Sequence, residues 1–375
     1  MRVTIERSNL MRALGHAQRV VERKNTIPIL SNVLLSARGG ALTLKATDLD
    51  IEVTEKVAAR VEQDGATTVP AHMLYDIVRK LPDGSEVMLQ VAEEGTLRLV
   101  SGRSQFRLQM LPEDDFPDLT AADFSHTFRL AAADLKGLID RTQFAISNEE
   151  TRYYLNGIYL HHVDAPGNGD DGARLRVVAT DGHRLAQAQI AAPDGSAGMP
   201  GVIVPRKAVG EIQKLVDGAD EQVTVELSEA KVRVTVGDVV LTSKLIDGTF
   251  PDYNRVIPTG NDKELTLDRA TFASAVDRVS TIASDRGRAV KLAMGDGQMV
   301  LSVNNPDSGS AEEEIAVGYA AEALEIGFNS RYLLDITSQL SAEETVFMLA
   351  DPGSPTLIRE KGEAAALYVL MPMRV

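Results

Sequence analysis

The chain has no cysteine among its 375 residues. That excludes disulfides, thiolate zinc sites and a cysteine nucleophile, and it fits a reducing cytosol. No apolar run is long enough for a signal peptide or a membrane span. A cytoplasmic protein with no membrane partner is therefore expected. No phosphate-cradling P-loop pattern occurs either. Basic residues are outnumbered: 39 Lys and Arg stand against 54 Asp and Glu, a net charge of −15. Taken as an average, that charge argues against nucleic acid, whose phosphates attract basic surfaces. Apolar content is an ordinary 44%, so disorder is not expected. The length suggests two or three domains.

What is present is a repeat. The stretch from Val204 to Val216 reads as a short amphipathic helix. Val209, Ile212, Leu215 and Val216 recur at three- and four-residue steps. Pro205 suits the first helical position, and Arg206, Lys207 and Lys214 lie off the apolar stripe. Asp217-Gly218 stops the helix, and Val223 to Leu227 alternates as a strand. Counterparts lie at Val69 to Leu81 and Phe328 to Leu340. The pairs Asp76-Ile77, Glu211-Ile212 and Asp335-Ile336 fall in register, 135 and 124 residues apart.

Each copy opens with a strand and a first helix. These are Val3 to Glu6 before Leu10, Leu14, Ala17 and Val21; Phe128 to Leu130 before Leu135, Leu138, Thr142 and Ile146; and Leu265 to Leu267 before Phe272, Val276, Val279 and Ile282. Strands broken by polar turns follow, and two strands close each copy. At this period each copy can hold its own core. The fold class is α+β: three tandem domains, each with two helices packed on antiparallel sheet of about eight short strands. The expected spans are 1–124, 125–258 and 259–375, with linkers near Ala121-Ala122-Asp123-Phe124 and Pro258 to Asp262.

Charge is segregated across this repeat. The six expected helices (8–24, 71–81, 131–146, 205–216, 269–286 and 329–340) hold 15 basic and 8 acidic residues, a net +7, which leaves −22 elsewhere. Basic helices in an acidic β-rich body suit a protein that holds a polyanion on one surface. Solvated helix faces are the plainer reading, and the recurrence in three copies brings the two to even weight.

Several chemical motifs fail on context. Gly167-Asn168-Gly169-Asp170-Asp171-Gly172 matches GxGxxG, but it reads as an acidic hairpin loop leading into a strand, and its aspartates would repel a pyrophosphate. Asp181 and His183 resemble an acid–base pair. Thr180-Asp181 aligns with Thr47-Asp48 in the first copy, however, so turn chemistry is the stronger reading. Asp48 and Asp50 have no histidine beside them, and Glu312-Glu313-Glu314 reads as an acidic edge that could meet the basic edge around Arg103 and Arg107. No metal and no cofactor are expected. Leu367 to Leu370 reads as a last core strand, and Met371, Pro372 and Met373 suit an adaptable surface that accepts several partners.

Five motifs, in order, resemble the bacterial DNA polymerase III beta subunit family of sliding clamps. They are Arg152 to Gly157, Ala179 to Leu185, Val202 to Lys207, Phe250-Pro251-Asp252-Tyr253 and Met371 to Arg374. The resemblance spans the chain. It implies a head-to-tail homodimeric ring with pseudo-sixfold symmetry around duplex DNA, helices inward and sheets outward, with no catalytic residue. It implies sequence-independent contact with double-stranded DNA. The replicative polymerase catalytic subunit, the clamp loader, other polymerases and repair proteins would dock through short peptide motifs.

By that resemblance the peptide pocket comprises Arg152, Leu155, Thr180, Gly182, His183, Arg184, Leu185, Pro251, Arg255, Val256, Tyr332, Val369, Leu370, Met371, Pro372, Met373 and Arg374. The DNA-facing residues would be Arg12, Arg19, Lys24, Arg79, Lys80, Lys136, Arg141, Tyr153, Tyr154, Arg206, Lys207 and Lys214. The dimer seam would join Arg103, Phe106 and Leu108 to Thr281, Ile282, Glu312, Glu313 and Glu314. His72-Met73 stands where relatives often carry basic residues, Thr281 replaces a bulkier apolar seam residue of some relatives, and Pro166 to Ala173 reads as a lengthened hairpin loop. A scaffold that does not encircle DNA and a β-rich enzyme using Asp181 and His183 are the alternative readings.

Overall fold

A computed structural model describes residues 1–92, 95–119, 123–165, 172–284, 288–362 and 365–374. Ala121 and Ala122 of the first expected linker, and most of the GxGxxG stretch and the Pro166 to Ala173 loop, lie outside the described residues. Six α-helices occur among the described residues: α1 (Arg7–Val20), α2 (Ala71–Lys80), α3 (Ala132–Asp140), α4 (Arg206–Val216), α5 (Arg269–Ser280) and α6 (Ser330–Thr337). Each copy thus has two helices. Every strand pairing among the described residues is antiparallel, in keeping with the alternating sequence.

The described contacts divide the chain into two compact units, and the central copy contributes to both. The first unit holds residues 1–135, 193–200 and 207–245; the second holds the remainder. In the first unit, a five-stranded sheet ends on the edge strand Ser104–Gln109. An eight-stranded sheet joins strands of two copies: Ile51–Ala58 of the first pairs with Val239–Lys244 of the second. In the second unit, Arg184–Ala191 of the central copy pairs with Ala366–Leu370 of the third inside a nine-stranded sheet. A four-stranded sheet ends on the edge strand Gly309–Ala316.

The helices follow from their sequences. In α1, Leu10, Ala13, Leu14, Ala17 and Val20 form the buried stripe, and the Glu6 side chain caps Ser8 N–H. Asp268 caps α5 from Thr271 N–H at 2.7 Å, and Asn329 caps α6. Pro205 differs from expectation. It ends the strand Val202–Pro205, paired with Gly157, and the helix begins one residue later. α3 is shorter than expected because the Thr142 hydroxyl donates to Leu138 O at 2.7 Å, after which Gln143–Ala145 is a 3-10 turn. α5 ends at Ser280, where the Thr281 hydroxyl likewise bonds back to Asp277 O at 3.3 Å.

Two repeated turns have one geometry. Thr47 Oγ1 donates to Ile51 O at 2.9 Å and accepts Leu49 N–H; the Asp48 carboxylate accepts Asp50 and Ile51 N–H at 2.9 and 2.8 Å. Thr180 Oγ1 donates to Arg184 O at 2.7 Å and accepts Gly182 N–H; the Asp181 carboxylate accepts His183 and Arg184 N–H at 2.9 and 3.0 Å. The third residue has φ near +80° in both, Leu49 in one and Gly182 in the other. For an L-residue that conformation costs about 1–2 kcal/mol. Leu49→Gly is therefore expected to be neutral or to stabilise by up to about 1 kcal/mol in chemical denaturation, because Leu49 buries little and glycine relieves the strain. Leu44→Gly, in the buried core of the same sheet, is expected to cost more than about 3 kcal/mol.

Candidate functional site

Within the second unit, Leu155, Leu185 and Val369 share one buried cluster with Val178, Ile203, Phe250 and Tyr253. Strand pairing sets Leu185 opposite Val369 and Arg184 opposite Leu370, which is also fully buried. By contrast Pro251, Arg255, Val256 and Met371 are exposed. Val256 and Met371 are large apolar groups, 48% and 40% exposed. Met371 follows the buried Leu370, and Val256 ends the turn that begins at the buried Tyr253, so uncovered apolar side chains adjoin the buried cluster along the chain.

Arg184 organises the polar side of this region. Its guanidinium donates to Asp181 at 3.1 Å, Asp335 at 2.6 Å and Phe144 O at 2.7 Å, and it lies over the Tyr332 ring at 4.2 Å. Its side chain is only 9% exposed. Asp181 is occupied by its turn and by Arg184, while the His183 ring stacks on Tyr332 at 6.3 Å between centroids. The two groups of the imagined acid–base pair thus hold a turn and an aromatic contact. Arg152 bonds Glu149 at 2.7 Å and Asp181 O at 3.1 Å. A Cβ added at Gly182 would sit 2.6 Å from Arg152 Nη1, so the guanidinium would have to shift to admit one.

The C-terminal segment reaches two places. Met371 N–H donates to His183 O at 2.9 Å, and Met373 N–H donates to Gly327 O at 2.7 Å. Pro372, Met373 and Arg374 line a separate hollow of about 1140 Å³ beside Lys291, Glu325 and Gly353. Burial raises the Tyr332 phenol above its ordinary pKa, with Asp181 adding to the effect. Beneath the site, burial holds His161 down to about 4. It stacks on Tyr159 and lies 3.1 Å from the Tyr253 hydroxyl, neutral at physiological pH.

The expected DNA-facing residues fall into different situations. In the first unit, Arg19, Lys24 and Lys80 are exposed. Arg12 is paired with Glu55, Arg79 with Asp76 and Lys214 with Glu211. Lys207 is held by Asp48 and Glu22. His72 turns its Nε2 to Val21 O at 2.9 Å, and Met73 is 54% exposed. In the second unit, Lys136 pairs with Asp140 and Arg141 is half-buried. Tyr153 and Tyr154 meet edge to face, with Tyr153 53% exposed. Arg206 donates to the carbonyls of Ile146 and Ser147 at 2.5 and 3.0 Å.

The expected seam residues lie on two sheet edges, one in each unit. Phe106 is half-buried on Ser104–Gln109 and helps line a hollow of about 500 Å³ with Met73 and Ile77; Leu108 is buried and Arg103 exposed. In the second unit, Glu312 and Glu314 are exposed on Gly309–Ala316, and Glu313 is tied to Arg278. Thr281 and Ile282 follow α5, and Ile282 O accepts an Asn305 amide at 2.8 Å.

Sequence reading missed four contributors. Phe144 supplies a carbonyl and a ring to Arg184, Asp335 supplies its charge partner, and Phe250 with Tyr253 completes the buried cluster. Asp335 had a signal in the repeat register, and the aromatic pair had one in Phe250-Pro251-Asp252-Tyr253. Phe144 had none.

A protein of three tandem two-helix, antiparallel-sheet domains with this site has the DNA-clamp architecture. The N-terminal, central and C-terminal domain models of the DNA polymerase III beta subunit match residues 1–120, 129–252 and 254–374. The beta sliding clamp of Caulobacter vibrioides is 51% identical over 376 residues, covering 100% of both chains. That of Escherichia coli K12 is 40% identical over 379 residues, again covering 100% of both. A crystal structure of a DNA polymerase III subunit beta sliding clamp from Bartonella birtlesii, bound to griselimycin, superposes with a TM-score of 0.96 at 61% identity, covering 100% of both chains. The chain belongs to the DNA polymerase III beta subunit family, the bacterial sliding clamps.

Arg184→Ala leaves Asp335, the Phe144 carbonyl and part of Asp181 without their donor. A loss of about 2–4 kcal/mol in chemical denaturation is expected. Arg184→Lys is expected to recover less than half of it, since an ammonium cannot reproduce the planar fork.

Proposed function

We propose that the chain acts as a homodimeric, head-to-tail ring that encircles duplex DNA and tethers the replicative polymerase, conferring processivity. The observation that carries this reading is the match of all three domain models in order along the whole chain. The proposed domains are residues 1–124, 125–258 and 259–375. The ring works by topology: it makes no bonds and needs no cofactor. Contacts of its basic helices with phosphates are weak, salt-sensitive and blind to sequence, which lets it slide. No helix among the described residues is long and apolar enough to cross a membrane; the proposed location is the cytoplasm.

Two exposed sheet edges support the seam. Unpaired edge strands are templates for pairing with another chain. Arg103 and Arg107 flank one edge, and Glu312 and Glu314 the other. The strand Ser104–Gln109 of one copy would pair with Gly309–Ala316 of the next, packing Phe106 and Leu108 near Thr281 and Ile282.

The region comprising Leu155, Leu185 and Val369 together with Val256, Tyr332 and Met371 is the proposed dock for short apolar motifs of the polymerase, the clamp loader and repair proteins. Burying about 300–400 Å² of apolar peptide surface gives on the order of 8–10 kcal/mol gross. Association and ordering remove several of those, leaving exchangeable binding that suits a hub.

Loaded protein is expected to stay on closed circular DNA and to be lost when the circle is cut. Equal retention on both would leave the non-encircling scaffold. Deleting residues 371–375 is expected to weaken peptide binding while the mass of the dimer is unchanged; loss of the dimer instead would show that the docking region is misassigned.

A further inference from the structure

Lys207 follows Arg206 in the first turn of α4, where the proposed DNA-facing surface would make it a phosphate contact. Its surroundings in the first unit give it another task. An ammonium has three protons, and all three have acceptors here: Val20 O at 3.1 Å, Asp48 Oδ2 at 2.6 Å and Glu22 Oε1. Val20 ends α1, so its carbonyl is one that the helix itself leaves without a partner. Asp48 cannot swing away, because its other carboxylate oxygen holds the turn through Asp50 and Ile51 N–H. Its side chain is 12% exposed.

We propose that Lys207 is a positioning residue that fastens the start of α4 to the end of α1 and to the Asp48 turn, its ammonium withheld from DNA by Glu22 and Asp48. Burial alone would lower its pKa, but hydrogen bonds to Asp48 and Glu22 carry it above the ordinary lysine value. The cation is locally neutralised by its two carboxylates. To reach a phosphate it would give up a carbonyl and two charge-assisted bonds. Arg19 and Lys24, exposed on and just after α1, have no carboxylate partner among the described residues and make the natural comparison.

The inference rests on the DNA-encircling reading, and salt dependence separates the two. Binding of the full-length protein to a duplex oligonucleotide is followed over a salt series. Arg19→Ala is expected to flatten the slope of log affinity against log salt by about one, roughly three- to fourfold in affinity across a fourfold change in salt. Lys207→Met is expected to leave the slope unchanged while speeding amide hydrogen exchange around Glu22 and Asp48. The double variant Glu22→Gln/Asp48→Asn keeps the turn's acceptor but frees the ammonium, and it is expected to steepen the slope. Adding Lys207→Met is expected to abolish that gain. The inference is overturned if Lys207→Met alone flattens the slope as Arg19→Ala does, or if the gain persists without Lys207. A wild-type protein with no salt-dependent duplex binding would sink the DNA reading itself.

Discussion

Strand pairing between repeats is the constraint on which the rest depends. Val239–Lys244 hydrogen-bonds to Ile51–Ala58 in the first unit, and Ala366–Leu370 to Arg184–Ala191 in the second. Neither sheet is complete within one copy. A chain of three separate domains would flex at its linkers, since interfaces between domains are usually small and polar. Continuous antiparallel ladders replace such linkers with main-chain hydrogen bonds and shared apolar faces. The five- and four-stranded sheets take no part in these ladders and end on the edge strands Ser104–Gln109 and Gly309–Ala316.

The proposed docking region is a by-product of the second ladder. Register sets Leu185 against Val369, and the same register brings Met371 N–H to His183 O. The Thr180-Asp181 turn then has to present Arg184 inward, where Asp335 and Phe144 O wait for it. The equivalent turn in the first unit uses the same hydrogen bonds for a different end. There Asp48 receives Lys207 from α4, and the next strand carries the buried Glu52, whose carboxylate accepts Leu119 N–H. Burial raises the pKa of Glu52 despite that bond and the nearby Lys45. One turn design thus supports an apolar cluster in one unit and a polar junction in the other.

Much of the fold was legible because its signals are local. Apolar residues at three- and four-residue steps gave the helices, alternation gave the strands, and the recurring Asp76, Glu211 and Asp335 gave the repeat. The reading of Thr180-Asp181 as turn chemistry rested on alignment with Thr47-Asp48, and the two turns do share their hydrogen bonds. Strand exchange between copies was not legible, because nothing in the alternation of Val239 to Lys244 names its partner. The fate of single charges was equally hidden. Lys207 and Arg19 look alike in sequence, yet one meets two carboxylates and the other is exposed. Helix ends at Thr142 and Thr281 were misplaced because a threonine hydroxyl can either continue a helix surface or bond back and stop it.

The most direct measurement is native-state hydrogen exchange of the joining strands. If the ladders bind the copies into common cooperative units, amides of Val239–Lys244 and Ala366–Leu370 exchange as slowly as those of Ala41–Thr47 and Arg174–Thr180 within the same sheets. Fast exchange of the two joining strands, with the other strands still protected, would contradict the account: the copies would then be separate domains held by weak seams.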